Sequence, residues 1–277
     1  ILDLSGGPAQ AQCRMRAGQM SQSSTSQASA AEAQTTLRLQ TAEQLPVLLY
    51  LWMPLVVAAV LALTWHLNPA FYRAYMVGEI GILEATHVLV PLISIVVCLR
   101  ILALPEVRAD RLVFTWILLG MLGSLYMAGE EASWGQHYAG WLTPENWQAI
   151  NDQGETNLHN TSSWLDQKPR TLLEIGVIVG GILIPLAALR WPSIRDGRFA
   201  IFLPPLVCLP VALIGEIAKM WERLQSKGLW EFVIFYQASE VQELYLSLFI
   251  LLYLVVFRNR VLARRNAGLP ARPAAGS

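Results

Sequence analysis

Residues 80–103 read IGILEATHVLVPLISIVVCLRILA. A helix rises 1.5 Å per residue, so about 20 apolar residues cross a bilayer's hydrocarbon core. Within this run Glu84, His87 and Arg100 are the residues that can carry charge near neutral pH. Five other blocks share its length and character. We place the six spans at 46–65, 80–103, 112–129, 171–189, 199–218 and 231–257. Backbone in lipid must satisfy its own polar groups, so each block reads as a helix. The expected fold class is all-α: a polytopic membrane protein with six transmembrane helices and an external cap, 130–170, between helices three and four.

Composition points the same way. The 277 residues are 54% hydrophobic and 14% charged, with mean hydropathy +0.42, whereas soluble chains carry about 25% charged residues. The net charge is zero. No zinc finger, RNA-binding motif or basic stripe is present, so the expected partner is a lipid bilayer and not nucleic acid. A P-loop and a Gly-rich dinucleotide turn are also missing. Cys13, Cys98 and Cys208 lie far apart and read as small apolar side chains.

Three regions follow from this. Residues 1–45, rich in Ser, Gln, Ala and Thr, read as a disordered tail. Met20 reads as the natural start, and no signal peptide with a cleavage site is evident. Residues 46–257 form the membrane domain, and 258–277 a basic C-terminal tail. Pro54, Pro91, Pro185, Pro204, Pro205 and Pro210 predict kinks. The pairs Gly120/Gly123 and Gly176/Gly180 predict close helix approach. No internal repeat supports an inverted-repeat transporter.

Lys and Arg set the orientation. Fourteen of the twenty fall on the side of the two termini. The positive-inside rule then puts both termini in the cytoplasm, and the expected location is a bacterial inner membrane. Fourteen of the twenty acids, and all four histidines, fall on the other side or at its edge. Trp65, Trp134, Trp141, Trp147, Trp164, Trp221 and Trp230 gather there too, as an interfacial belt does. Within the cap a short helix is expected near Pro144–Ile150, with Thr143 as its cap.

Ionisable groups in lipid cost roughly 2.5–3.5 kcal/mol each on insertion scales, so their convergence is the best pointer to function. Glu84 and His87 are three apart and share a helix face. Glu-x-x-His on a helix is a ligand pair of di-metal bundles. If helix three continues past its span, Glu130, Trp134 and His137 share a face, beside Glu131. In the cap, Glu155 and His159 are four apart. Tyr236, Glu240, Glu243 and Ser247 form one stripe on helix six; a span starting near Glu231 puts Glu240 about 13 Å along it. Glu216 ends helix five. Imidazole and carboxylate suit a divalent metal such as zinc, manganese or iron, and equally general acid–base chemistry. The candidate catalytic residues are Glu130, Glu131, His137, Glu155 and Glu240. The candidate metal ligands are Glu84, His87, His137, His159, Glu216 and Glu243. The bland reading stays open for each: hydrated helix ends, or ion pairs to Arg73, Lys219 and Arg223.

Two strings carry a resemblance, Gly129-Glu130-Glu131-Ala132-Ser133-Trp134-Gly135-Gln136 and Gln153-Gly154-Glu155-Thr156-Asn157-Leu158-His159-Asn160. They resemble a group of bacterial multi-pass membrane proteins with no assigned activity, over about a fifth of the chain. A looser similarity is to membrane hydrolases related to alkaline ceramidase, which hold zinc with His and Asp and use a Ser. Six spans instead of seven, and a different order of Ser, Asp and His, limit that likeness to chemistry. The leading expectation is a metal-dependent membrane hydrolase acting on a lipid or lipid-linked substrate from the outer face. The alternatives are a cation- or proton-coupled transporter and a non-catalytic assembly or sensor protein.

Overall fold

The computed structural model describes residues 41–77, 81–151, 154–158, 161–195, 197 and 199–272. The chain divides into two units, Ile1–Ala42 and Glu43–Ser277, and everything below lies in the second. Among the described residues all regular structure is helical. Six helices are long and apolar enough to cross a membrane: α1 Leu48–Leu67, α2 Ile82–Leu102, α3 Arg111–Glu131, α4 Lys168–Arg190, α5 Ala200–Ser226 and α6 Ala238–Asn266. The connections alternate between two ends. One end, the cap end, carries the long segment between α3 and α4.

The last helix is the axis of the bundle. In the most apolar stretch of α6, 61% of residues are buried, against 11% to 33% in the other five helices. Its side chains reach most of its neighbours. Tyr245 Oη donates to the Pro54 carbonyl of α1 at 2.5 Å. Tyr253 Oη accepts from Trp116 Nε1 of α3 at 2.7 Å and donates to the Phe202 carbonyl of α5 at 2.9 Å. Each bond satisfies a polar group where lipid offers no partner. Two glycines bring helices close to α6. A Cβ on Gly215 of α5 would lie 2.9 Å from Tyr245 Cβ, and one on Gly181 of α4 would lie 2.6 Å from the Phe249 ring. The pairs expected from spacing behave otherwise: Gly123 and Gly176 face open space, and Gly120 and Gly180 make ordinary contacts.

Prolines shape the helices as their chemistry requires. A proline removes a donor and crowds the carbonyl four residues back. Wider π turns precede Pro54 and Pro185, at Leu48–Trp52 and Ile178–Leu183. Around Pro204 and Pro205, α5 begins as two 3-10 turns, Ala200–Phe202 and Leu206–Cys208, and becomes regular at Leu209. Cys98 and Cys208 are buried and free, as apolar side chains are.

Against the spans read from sequence, α5 runs on to Ser226 and α6 to Asn266, and the difference that matters to the site is where α6 begins. It starts at Ala238, not near Glu231. The Phe232 carbonyl is taken by Trp221 Nε1 and Gln225 Nε2 of α5, at 2.7 and 2.8 Å. The chain then turns through Gln237, whose φ is 51°, before the helix opens. Glu240 therefore sits in the first turn of α6, at the cap end, and not 13 Å inside the helix.

Ion pairs tie down the opposite end. Arg260 meets Glu43 at 2.7 Å and donates to the carbonyls of Ile201 and Leu203. Asp110 caps α3 through the Leu112 and Val113 amides and accepts from Arg272 Nε at 2.8 Å. Partial burial raises the Asp110 carboxyl, but Arg272 and the two amides outweigh it and hold the group below the usual carboxylate range. Its stabilisation is then full above the unfolded value and lost as pH falls through the lowered folded value. In a pH series of thermal melts, Asp110→Asn should be less stable than wild type at neutral pH, with the gap closing in acid; a gap independent of pH contradicts this.

Gly215→Ala should lower stability by about 1–3 kcal/mol through overpacking. Gly123→Ala, with open space around it, should be neutral or slightly stabilising. Thermal melts of the two variants in the same detergent check the contrast.

Candidate metal centre

Three helix ends meet at the cap end: the starts of α2 and α6, and the finish of α3. Glu84 and Glu240 lie in the first turns of α2 and α6, where the helix dipole favours negative charge. Glu131 is the last residue of α3, where the dipole disfavours it. His87, one turn inside α2, is 2% exposed.

The imidazole orders the centre. His87 Nε2 lies 3.0 Å from the backbone carbonyl of Glu240. A carbonyl only accepts, so Nε2 carries the hydrogen and Nδ1 presents a lone pair when the ring is neutral. Nδ1 is buried and has no hydrogen-bond partner. It faces Glu131 Oε2 at 3.6 Å, Glu240 Oε2 at 3.7 Å and Glu84 Oε2 at 3.9 Å. These separations are too long for hydrogen bonds. They are near those across a bridging ion: tetrahedral bonds of ~2.1 Å place ligand atoms about 3.4 Å apart. Two overlapping triads share the imidazole, Glu84–His87–Glu131 and His87–Glu240–Glu243, and within each the ligand atoms lie within 4.8 Å of one another. A metal-bound imidazole commonly donates its other N–H to a carbonyl or carboxylate, which is the arrangement here.

Cations flank the centre but leave it acidic. Arg170, at the start of α4, lies 2.5 Å from Glu243 Oε1. That oxygen still lacks an aligned hydrogen bond, so this is a charge contact more than a directed bond. Lys219 pairs with Glu222 at 2.8 Å and donates to Ser239 Oγ. Arg223 pairs with Glu174 at 2.6 Å. The pairings foreseen for Lys219 and Arg223 thus exist, but with Glu222 and Glu174, not with Glu240 or Glu243. Tyr72, outside the spans, donates to the Tyr236 carbonyl at 3.3 Å. Burial, and then the nearby Glu240 carboxylate, push its phenol up to about 12.

The two adjacent glutamates of the third span part company. Helix α3 ends at Glu131, and Ser133, Trp134 and Gly135 take positive φ. This turn folds the Trp134 ring over Gly129, where a Cβ would come within 2.8 Å of it. Trp134 Nε1 donates to Glu130 Oε1 at 2.7 Å, and the Leu158 amide to Glu130 Oε2 at 2.8 Å. The expected face of Glu130, Trp134 and His137 on one continuing helix is thus replaced by a turn that closes on Glu130. Glu155 Oε2 likewise accepts from Ser133 Oγ at 2.7 Å and Asn157 Nδ2 at 2.5 Å. Gln136 spans the cap, donating to Thr143 Oγ1 and accepting from the Thr156 amide, both at 2.7 Å. Thr143 gives its hydroxyl hydrogen to the Gly154 carbonyl. The short helix Glu145–Gln148 forms where expected, but without the Thr143 side-chain cap. Both resemblance strings therefore build the cap, and Glu131 alone of their acids faces His87.

Of the residues expected from sequence, Glu84, His87, Glu131, Glu240 and Glu243 come together. Glu130 and Glu155 do not; they hold the cap. Glu216 faces Gln242 of α6, among Glu174, Arg223 and Lys219. Neither Glu216 Oε1 nor the Gln242 amide atoms reach hydrogen-bond geometry there. His137 lies on the short helix Gln136–Ala139, but its side chain, like Glu79 and His159, lies outside what the structure describes. Sequence reasoning missed Arg170 and Glu174 as members of the site, although Glu174 is a charge inside an apolar block and Arg170 borders the same block. Gln242, which the sequence places beside the Glu240–Glu243 stripe, is fully buried on α6. Matched against protein-family models, curated proteins and solved structures, the chain finds no counterpart.

Glu130→Gln presents an amide N–H to one of two donors. It should cost about 1.5–3 kcal/mol, as for lost hydrogen bonds to a charged group. Glu131→Gln should cost far less stability. Equal losses for the two neighbours in denaturation or protease-protection assays contradict the division of labour.

Proposed function

We propose that this chain is a membrane-embedded metalloenzyme whose divalent cation is held by His87 Nδ1, Glu84 and Glu131, with the Glu240 carboxylate beside them. The observation that carries the reading is the buried His87 ring, with Nε2 committed to the Glu240 carbonyl and Nδ1 facing three carboxylate oxygens at 3.6–3.9 Å with no hydrogen bond to any of them. A nitrogen and several carboxylate oxygens suit zinc, manganese or iron. The cation offsets carboxylates that burial makes expensive, and above all Glu131 at a helix C-terminus.

The reaction class we infer is hydrolysis of a lipid or lipid-linked substrate. A cation in such a site lowers the pKa of bound water and polarises the bond to be cut. Glu240, half-buried at the mouth, is placed to take the water's proton and return it to the leaving oxygen. Glu243 is held by Arg170 beside it. The position at the end of the bundle supports entry from the bilayer's outer leaflet, with both termini cytoplasmic by the distribution of Lys and Arg. A through-going ion relay is less well supported: on α6, no acid or base follows Glu243 until Arg258. Glu130 and Glu155 then position Glu131 by bracing the turn that follows it.

Metal analysis tests this directly. Purified full-length protein, stripped by chelator and titrated with Zn²⁺, Mn²⁺ or Fe²⁺, should take up one ion per chain. His87→Ala and Glu131→Gln should weaken binding by more than the about 10–100-fold typical of outer-shell changes, whereas Glu130→Gln, which acts only through the turn after Glu131, should weaken it by no more than that. No stoichiometric binding, or binding indifferent to His87→Ala, overturns the reading.

A further inference from the structure

At the cap end Arg170, Lys219 and Arg223 face acids. Arg73 does not. Among the described residues its contacts are aromatic, its guanidinium carbon lying 5.3 Å from the Trp65 ring and 5.4 Å from the Tyr236 ring. Those two rings stack at 4.5 Å, and Tyr72 meets both edge-on. Cation–π contact of this kind fixes a guanidinium without consuming its donors. The result is an exposed guanidinium, with no carboxylate recorded against it among the described residues. The fork of N–H groups of a guanidinium matches the paired oxygens of a phosphate.

Its place relates it to the metal centre. Tyr236 is four residues before Glu240, and Tyr72, next to Arg73, donates to the Tyr236 carbonyl. Leu67, Phe71, Tyr75 and Phe232 expose apolar surface at the cap end of α1 and in the segments that follow α1 and precede α6. A ligand bound there meets a positive fork, an apolar flank and, beyond Tyr236, the Glu240 carboxylate. That order suits a molecule with acyl chains and a phosphate headgroup.

We propose that Arg73, braced by Trp65 and Tyr236, binds the phosphate of a lipid phosphate and so presents its headgroup to the centre around His87. The catalytic meaning of this site rests on the metalloenzyme reading; the binding itself does not. In nanodiscs of phosphatidylcholine, the full chain is titrated with short-chain phosphatidic acid, with diacylglycerol of equal chain length, and with inorganic phosphate. Binding is read by calorimetry and by ³¹P line broadening. Wild type should bind phosphatidic acid well above diacylglycerol. Arg73→Gln should weaken that binding by about tenfold or more, with Arg73→Lys intermediate and melting temperatures unchanged. Inorganic phosphate binding as tightly as the lipid, with the same dependence on Arg73, assigns the site to free phosphate. His87→Ala separates the two ideas: it should abolish metal uptake and leave phosphatidic acid binding in place. Wild type that takes up no metal yet binds phosphatidic acid through Arg73 sinks the metal reading alone. Arg73→Gln binding like wild type, or diacylglycerol binding as well as phosphatidic acid, overturns the proposal.

Discussion

One hydrogen bond, from His87 Nε2 to the backbone carbonyl of Glu240, joins α2 to the first turn of α6. It does two things. The buried imidazole N–H gains an acceptor where lipid supplies none. The imidazole is also fixed, tautomer and direction together, so that Nδ1 looks into the space shared by Glu84, Glu131 and Glu240. An imidazole free to rotate would settle against a single carboxylate. Held by its far nitrogen, it stands 3.6–3.9 Å from three.

The rest of the structure serves that bond. Central packing of α6, through Tyr245, Tyr253 and the close approaches at Gly181 and Gly215, fixes where its first turn lies. The Phe232 carbonyl, taken by Trp221 and Gln225, stops the helix from starting earlier. The Ser133–Gly135 turn ends α3 at Glu131 and folds the chain back onto Glu130. Polar chemistry is thereby confined to one end, while the opposite end is closed by Arg260 and Glu43.

Much of this was legible in the sequence, for physical reasons. Apolar blocks of bilayer length admit only helices, so the six spans were readable to within a few residues at most ends. Acids and imidazoles inside those blocks are costly, so Glu84, His87, Glu131, Glu240 and Glu243 stood out. What the sequence hid was tertiary. Residues 231–237 look as apolar as a span, and only side chains from α5 show why they are not helical. Glu130 and Glu131 are indistinguishable by type, and the left-handed turn at Trp134, not a glycine-rich signal, decides which one faces the imidazole. Spacing alone pointed to Gly123 and Gly176, whereas Gly181 and Gly215 make the close approaches, because only the crossing of helices tells which glycine lies at the contact.

X-ray absorption at the metal edge, on full-length protein loaded with one equivalent of Zn²⁺ or Mn²⁺, tests the central claim most directly. The account predicts a first shell of oxygen and nitrogen at about 2.0–2.2 Å, with scattering from a single imidazole that disappears in His87→Ala. A shell of water oxygens alone, or an imidazole signal that survives His87→Ala, contradicts it.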